Sequence, residues 1–191
     1  LLTILLVYSA FGFSQTSLTF LGLGFLAIVA AIRYTIGSSA YGYKGLGDLF
    51  VFLFFGCLSV FGSHFLYTNE FDLSLTYPAF SIGLLSVGVL NINNMRDRDN
   101  DKQFGKVTIA VRLGARYVMF YHLFLITMPV IMTAVYGFIY DAVSIVVLSI
   151  MMLIPVTLHL KIVFQNKSEN LLDLELKKIA LLTFSYAILF S

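Results

Sequence analysis

The chain has 191 residues, 59% of them hydrophobic and only 12% charged, with a mean hydropathy of +0.92; soluble domains carry roughly 25% charge. That balance excludes a soluble globular domain and specifies an integral membrane protein. A net charge of +2 is too small to suggest a nucleic-acid partner, and with Cys57 as the single cysteine there is no disulfide framework or multi-cysteine zinc site within the chain.

Apolar runs fall at about 1–13, 18–36, 48–67, 75–92, 117–140, 143–160 and 179–191. They predict an all-α, multi-pass transmembrane bundle with seven segments, five of them complete. The first run has no basic stretch ahead of it and is about a dozen residues long, which argues against a signal peptide. The last stops short of the roughly 20 residues that cross a bilayer. Both ends read as severed spans, and the chain, 1–191, is expected to be one transmembrane domain lacking its N-terminal part. Cys57 is expected to serve packing, and Pro129 and Pro155 fall inside spans, where neighbouring helices compensate for the missing amide hydrogen. Asn170 to Lys178 places Leu171, Leu172, Leu174 and Leu176 among charges, which predicts a segment lying along the interface before the last span. His64, His122 and His159 are dispersed and share no metal-ligand spacing, and His64 is expected to be a hydrogen-bonded packing residue.

Assigning the connections to alternate sides places all twelve Lys and Arg on one face, while the opposite connections hold only Glu70, Asp72 and Asp141. Lys and Arg collect on the cytoplasmic side, so the polar loops of that face are expected to be cytoplasmic in a cell membrane.

Asn91 to Lys106, N-I-N-N-M-R-D-R-D-N-D-K-Q-F-G-K, is a dense polar block with three acids and four bases in sixteen residues. Asp97 and Asp101 are four apart; on a helix their carboxylates share a face, with Cβ atoms about 5–6 Å apart. Asn93 lies one turn further back. Mg²⁺ takes one or two protein carboxylates and completes its shell with water and phosphate oxygens, so the pattern predicts a metal-bridged phosphate site, with Arg96, Lys102 and Lys106 adding positive charge. D-R-D-N-D also opens like an EF-hand loop, but Lys102 and Thr108 stand where that loop needs Gly and Glu. On the same face, Tyr34 to Asp48 combines glycines that permit close backbone approach to a ligand, Lys44 with three donors, and the aromatic faces of Tyr41 and Tyr43.

N-N-M-R-D-R-D-N-D-K-Q-F-G-K-V-T-I-A-V-R-L-G, from Asn93 to Gly114, closely resembles the second Asp-rich motif of the UbiA-type intramembrane prenyltransferases, and more narrowly their 1,4-dihydroxy-2-naphthoate polyprenyltransferase branch. G-Y-K-G-L-G-D-L-F-V-F-L-F-F-G, from Gly42 to Gly56, resembles the same branch. The resemblance implies nine helices around a cavity, of which this chain holds the last seven, and a first Asp-rich motif upstream of Leu1. It implies Mg²⁺-dependent transfer of a polyprenyl group from its diphosphate to 1,4-dihydroxy-2-naphthoate, giving demethylmenaquinone. Asp97, Asp101 and Asn93 would hold the metal, with Asn94 ligating or orienting. Lys44, Arg96, Lys102 and Lys106 would neutralise the diphosphate, and Tyr34, Tyr41 or Tyr43 would shield the allylic cation. The rival readings are family members acting on 4-hydroxybenzoate, haem or a chlorophyllide, and a non-enzymatic transporter or cation-binding protein.

Overall fold

In lipid every backbone amide must be bonded internally, so long apolar runs resolve as helices. The computed structural model describes residues 2–35, 40–165 and 169–191, with the side chains at 35, 41, 169 and 170 outside that description; among the described residues every regular element is helical. The helices are α1 (Leu2–Phe11), α2 (Gln15–Thr35), α3 (Gly47–Val51), α4 (Ser59–Thr68), α5 (Thr76–Arg96), α6 (Arg98–Gln103), α7 (Ile109–Ile139), α8 (Val143–Gln165) and α9 (Glu169–Phe190). A π-helical segment, Phe52–Leu58, fuses α3 to α4. Among the described residues, five stretches are long and apolar enough to cross a membrane: Gln15–Tyr34, Gly47–Thr68, Leu73–Arg96, Ile109–Ile139 and Val143–Gln165. They coincide with the five complete spans expected from the apolar runs, and the protein is a multi-pass integral membrane protein.

Two boundaries depart from expectation. No separate interfacial segment covers 170–178; α9 runs unbroken from Glu169, and its Leu172 and Glu175 are buried against the bundle. Asp173 pairs with Arg96 of α5 and Glu175 with His159 of α8, which lets the helix continue through its acids. Likewise α7 starts at Ile109, eight residues before the apolar run, because the Thr108 side chain accepts the Val111 amide and caps it. Gly114, at φ 72° and ψ 175°, interrupts that helix and separates a short stub from the long span.

The centre of the bundle is α5, packed against α7, α9 and the π-helical segment. Two glycines explain the last contact. A Cβ on Gly56 would meet the Ala79 carbonyl oxygen at 2.6 Å and the Gly83 Cα at 2.7 Å, so the backbones touch where side chains are missing. The remaining core joins Leu85 and Ile92 of α5 to Leu125 and Ile126 of α7, Met152 of α8 and Ile179 of α9. Large apolar side chains elsewhere, such as Phe25, Phe55 and Ile154, are exposed on the perimeter, as lipid contact requires.

Helices α2, α5 and α8 end, and α3, α7 and α9 begin, at the same end of the bundle. That alternation carries the glycine-rich turn and the Asp block to one face. His64 sits toward the other end, with Nδ1 3.2 Å from the Glu70 carbonyl oxygen and 3.3 Å from the Thr68 hydroxyl.

A candidate anion and cation cleft at the loop face

Asp97 adopts φ −88° and ψ 3°, which ends α5 and begins α6. The Asp101 amide donates to the Asp97 carbonyl at 2.7 Å, and the Lys106 amide to the Asp101 carbonyl at 2.9 Å, so the block folds back on itself. It is then tied to the glycine-rich turn. The Val107 amide donates to the Tyr43 carbonyl at 2.9 Å, and the Arg112 guanidinium donates to the Lys44 carbonyl at 2.6 Å. Gly45 lies between them at φ +74°, where a Cβ would meet the Val107 carbonyl oxygen at 2.8 Å; only glycine permits that approach.

Between the two loops opens a cleft of about 280 Å³, lined by Tyr34, Gly42, Tyr43, Asn100, Asp101, Phe104 and Lys106. The Tyr34 ring closes over Gly42, within 3.0 Å of where a Cβ would stand. Lys106 Nζ donates to Asp101 Oδ1 at 3.2 Å and lies 3.1 Å from Oδ2, yet the buried Oδ2 accepts no hydrogen bond. The Lys106 ammonium at 3.1 Å balances its charge, and the oxygen, without an aligned hydrogen bond, is open to a further cation or water.

Asp97 belongs to a second cluster. The Arg96 guanidinium donates through Nε to Oδ1 at 2.7 Å and through Nη2 to Oδ2 at 2.9 Å, a bidentate fork. It also reaches Asn93 Oδ1 at 2.8 Å and Asp173 Oδ1 of α9 at 2.7 Å. The hydrogen bonds from Arg96 hold the Asp97 carboxyl below the usual carboxylate range, and the Lys106 charge adds to the effect. Asp99 is exposed and paired with Arg98, which lowers its carboxyl in the same way.

The structure therefore sorts the candidate residues. Tyr34, Tyr43, Asp101 and Lys106 meet in the cleft; Asn93, Arg96 and Asp97 form the neighbouring cluster, with the Lys106 charge felt by both acids. Asn94 is buried in α5, whereas Lys44 and Lys102 are exposed and are not part of the cleft lining. Tyr41 contributes its backbone to a 3₁₀ turn, Tyr41–Lys44, and its side chain lies outside the described residues. As a test of fit for Mg²⁺, the donorless Asp101 Oδ2 suits a hard cation. Both Asp97 oxygens are engaged by Arg96, and no group of three or more metal-ligating side chains occurs among the described residues. The set fits a cation that relies on water and phosphate for most of its shell.

Two polar groupings were not anticipated from the sequence. Tyr121 of α7 donates to the buried Asp48 carboxylate at 2.9 Å. Of the three histidines expected to be dispersed, two meet: His122 Nε2 and His159 Nε2 are 2.8 Å apart, and His159 Nδ1 is 2.6 Å from Glu175 Oε2. Helix packing joins residues 37 and 16 positions apart. The available signal was an ionisable residue inside an apolar span, which in membranes marks function or a partner.

The fold and site together define a multi-pass, helical membrane protein with a charged cleft at one end of the bundle. Residues 1–176 match the UbiA prenyltransferase family, and the chain belongs to that family. It is 53% identical over 108 residues to a Haemophilus influenzae protein named 1,4-dihydroxy-2-naphthoate octaprenyltransferase, covering 56% of this chain and 35% of that one. The Escherichia coli protein of the same name is 52% identical over 103 residues, 54% of this chain and 33% of its own. That of Mycobacterium tuberculosis is 42% identical over 102 residues, 53% of this chain and 35% of its own. The chain thus aligns with about a third of the length of these curated relatives. No solved structure matches it.

Proposed function

We propose that the protein transfers a polyprenyl group from its diphosphate to 1,4-dihydroxy-2-naphthoate, a step of menaquinone synthesis, at the cytoplasmic face of the cell membrane. The observation that carries this reading is the cleft in which the donorless Asp101 oxygen faces Lys106 between Tyr34 and Tyr43. The names of the relatives support the donor and acceptor, and the confinement of every Lys and Arg to one face supports the orientation.

Asp101, with Asp97 and Asn93 beside it, would hold Mg²⁺, which when bound supplies Lewis-acid neutralisation of a diphosphate. Lys106 places positive charge where the leaving diphosphate gains negative charge, and Arg96 fixes Asp97 while facing the same loop surface. Tyr34 and Tyr43 line the cleft, and their rings would shield an allylic cation and exclude water from it. Lys44, Lys102, Asn94 and Tyr41 would serve as further contacts for the substrates. The acceptor's ring carbon then bonds to the allylic carbon, and its carboxylate departs as CO₂.

The test incubates membranes holding the intact protein with labelled polyprenyl diphosphate, Mg²⁺ and a panel of aromatic acids. Prenylated naphthoquinol and diphosphate release are the expected products. Product only with 4-hydroxybenzoate, haem or a chlorophyllide would reassign the acceptor, and uptake without covalent product would refute transfer. Removing divalent cations with a chelator is expected to abolish product.

A further inference from the structure

Two carboxylates from different helices share one guanidinium. Arg96, the last residue of α5, donates through Nε and Nη2 to the two oxygens of Asp97, and through Nη2 also to Asn93 Oδ1. Its remaining terminal nitrogen, Nη1, donates to Asp173 Oδ1 at 2.7 Å. Asp173 stands 77 positions further along the chain, on α9, outside both polar loops. It is held there because α9 packs against α5 and its neighbour Leu172 is buried in the core. The side chains are 26% exposed at Arg96, 34% at Asp97 and 55% at Asp173, so ions from solution reach the whole group.

As the group stands, Asp97 is a poor metal ligand. Each of its oxygens keeps a second lone pair, but the guanidinium bonded to both would repel a divalent cation approaching the same carboxylate. Asp101, whose Oδ2 accepts no hydrogen bond, carries no such obstacle. For Asp97 to join it, Arg96 has to surrender at least one arm of its fork, and a guanidinium is released cheaply only onto another anion. Asp173 is that anion, already bonded to the far side of the same group. A shift of the guanidinium toward α9 exchanges one carboxylate for the other without leaving the charge unpaired. Because two acids share one base, the group is net negative, which favours an incoming cation.

We propose that Asp173 is a positioning residue that takes the Arg96 guanidinium over from Asp97 when a divalent cation and a diphosphate enter, freeing Asp97 to ligate the metal. The proposal rests on the prenyl-diphosphate reading for the identity of that ligand. Arg96 is not expelled by the exchange. Tethered by Asp173, it keeps its charge at the loop face beside the diphosphate, while Asn93, bonded to the same Nη2, is released along with Asp97. Asp173 acts through Arg96 and needs no contact with the metal.

The test uses the intact protein in lipid nanodiscs, with Mn²⁺ and inorganic diphosphate as probes and free Mn²⁺ read by electron paramagnetic resonance. Asp173→Asn is expected to weaken Mn²⁺ binding about fivefold, the upper end for a partly exposed charged pair, and to raise the Mg²⁺ concentration for half-maximal diphosphate release by a similar factor. Asp173→Glu, which keeps the charge, is expected to keep wild-type affinity. Losing a negative charge weakens cation binding by itself, so the deciding comparison is a double-mutant cycle with Arg96→Gln. In that background Asp173→Asn is expected to change nothing, since no guanidinium remains to be exchanged. The same loss in both backgrounds, or unchanged Mn²⁺ binding in Asp173→Asn alone, would overturn the proposal. In nitrogen-labelled wild type the Arg96 Nε–H signal is expected to shift when Mg²⁺ and inorganic diphosphate are added together; a stationary signal would overturn the exchange even where the Arg96 variant fails to fold. A wild type that binds no Mn²⁺ with diphosphate present would instead refute the metal and diphosphate reading itself.

Discussion

Asp101 and Asp97 differ in what surrounds them, and that difference sets what each substitution does. Asp101→Asn removes the charge beside Lys106 and supplies a neutral amide where a donorless oxygen now sits. It is expected to abolish Mg²⁺-dependent diphosphate release while leaving the melting temperature near wild type, which a thermal melt beside an activity assay would check. Asp97→Asn breaks one side of the Arg96 fork as well, so both activity and stability are expected to fall. The same fork makes a pH prediction. Because the Asp97 carboxyl in the folded protein is held below its unfolded value by Arg96, the unfolded state takes up the proton first as pH falls. The pair's contribution is complete above the unfolded value of about 3.9 and is lost as pH falls through the folded value. Melting temperature in detergent, followed downward from pH 6, should decline below about pH 4 in wild type and less in Asp97→Asn; equal declines would refute the assignment.

At the scale of the element, the contact between α5 and the π-helical segment depends on two absent side chains. Gly56→Ala would drive a methyl into the Ala79 carbonyl and the Gly83 backbone, neither of which moves without parting the helices. A loss of about 1–3 kcal/mol is expected, the usual scale of overpacking. Gly62 is the internal control: its added Cβ would find only Leu58 Cδ1, at 3.8 Å, and Gly62→Ala is expected to be neutral or slightly stabilising. Unfolding both variants in detergent decides the matter, and equal stabilities would show that the close approach is not needed.

Across the whole molecule, what the sequence disclosed was what one segment decides alone. The five spans were legible because each is an uninterrupted apolar run, and the charged face because alternating connections sort every Lys and Arg. The two polar loops were legible as neighbours for the same reason, and Val107 does bond Tyr43 across them. The four-residue spacing of Asp97 and Asp101 could not reveal that Asp97 is the joint between two helices, nor that Arg96 would claim both its oxygens. His122, His159 and Glu175 each look like isolated polar residues until three helices pack together, and the course of α9 through its charges depends on those same partners.

Gly114 has a consequence for how the protein meets bilayers of different depth. Arg112, which grips the Lys44 carbonyl, rides on the stub ahead of that residue, whereas the long membrane-crossing rod follows it. A span longer than the hydrocarbon layer tilts, and a swivel at Gly114 would let the rod lean without dragging the Arg112–Lys44 contact along. Gly114→Ala, strained at φ 72° though open space surrounds it, is expected to stiffen the joint. Turnover in nanodiscs of short-chain and long-chain lipids should then diverge in the variant while the wild type stays level, and parallel behaviour would rule out the swivel.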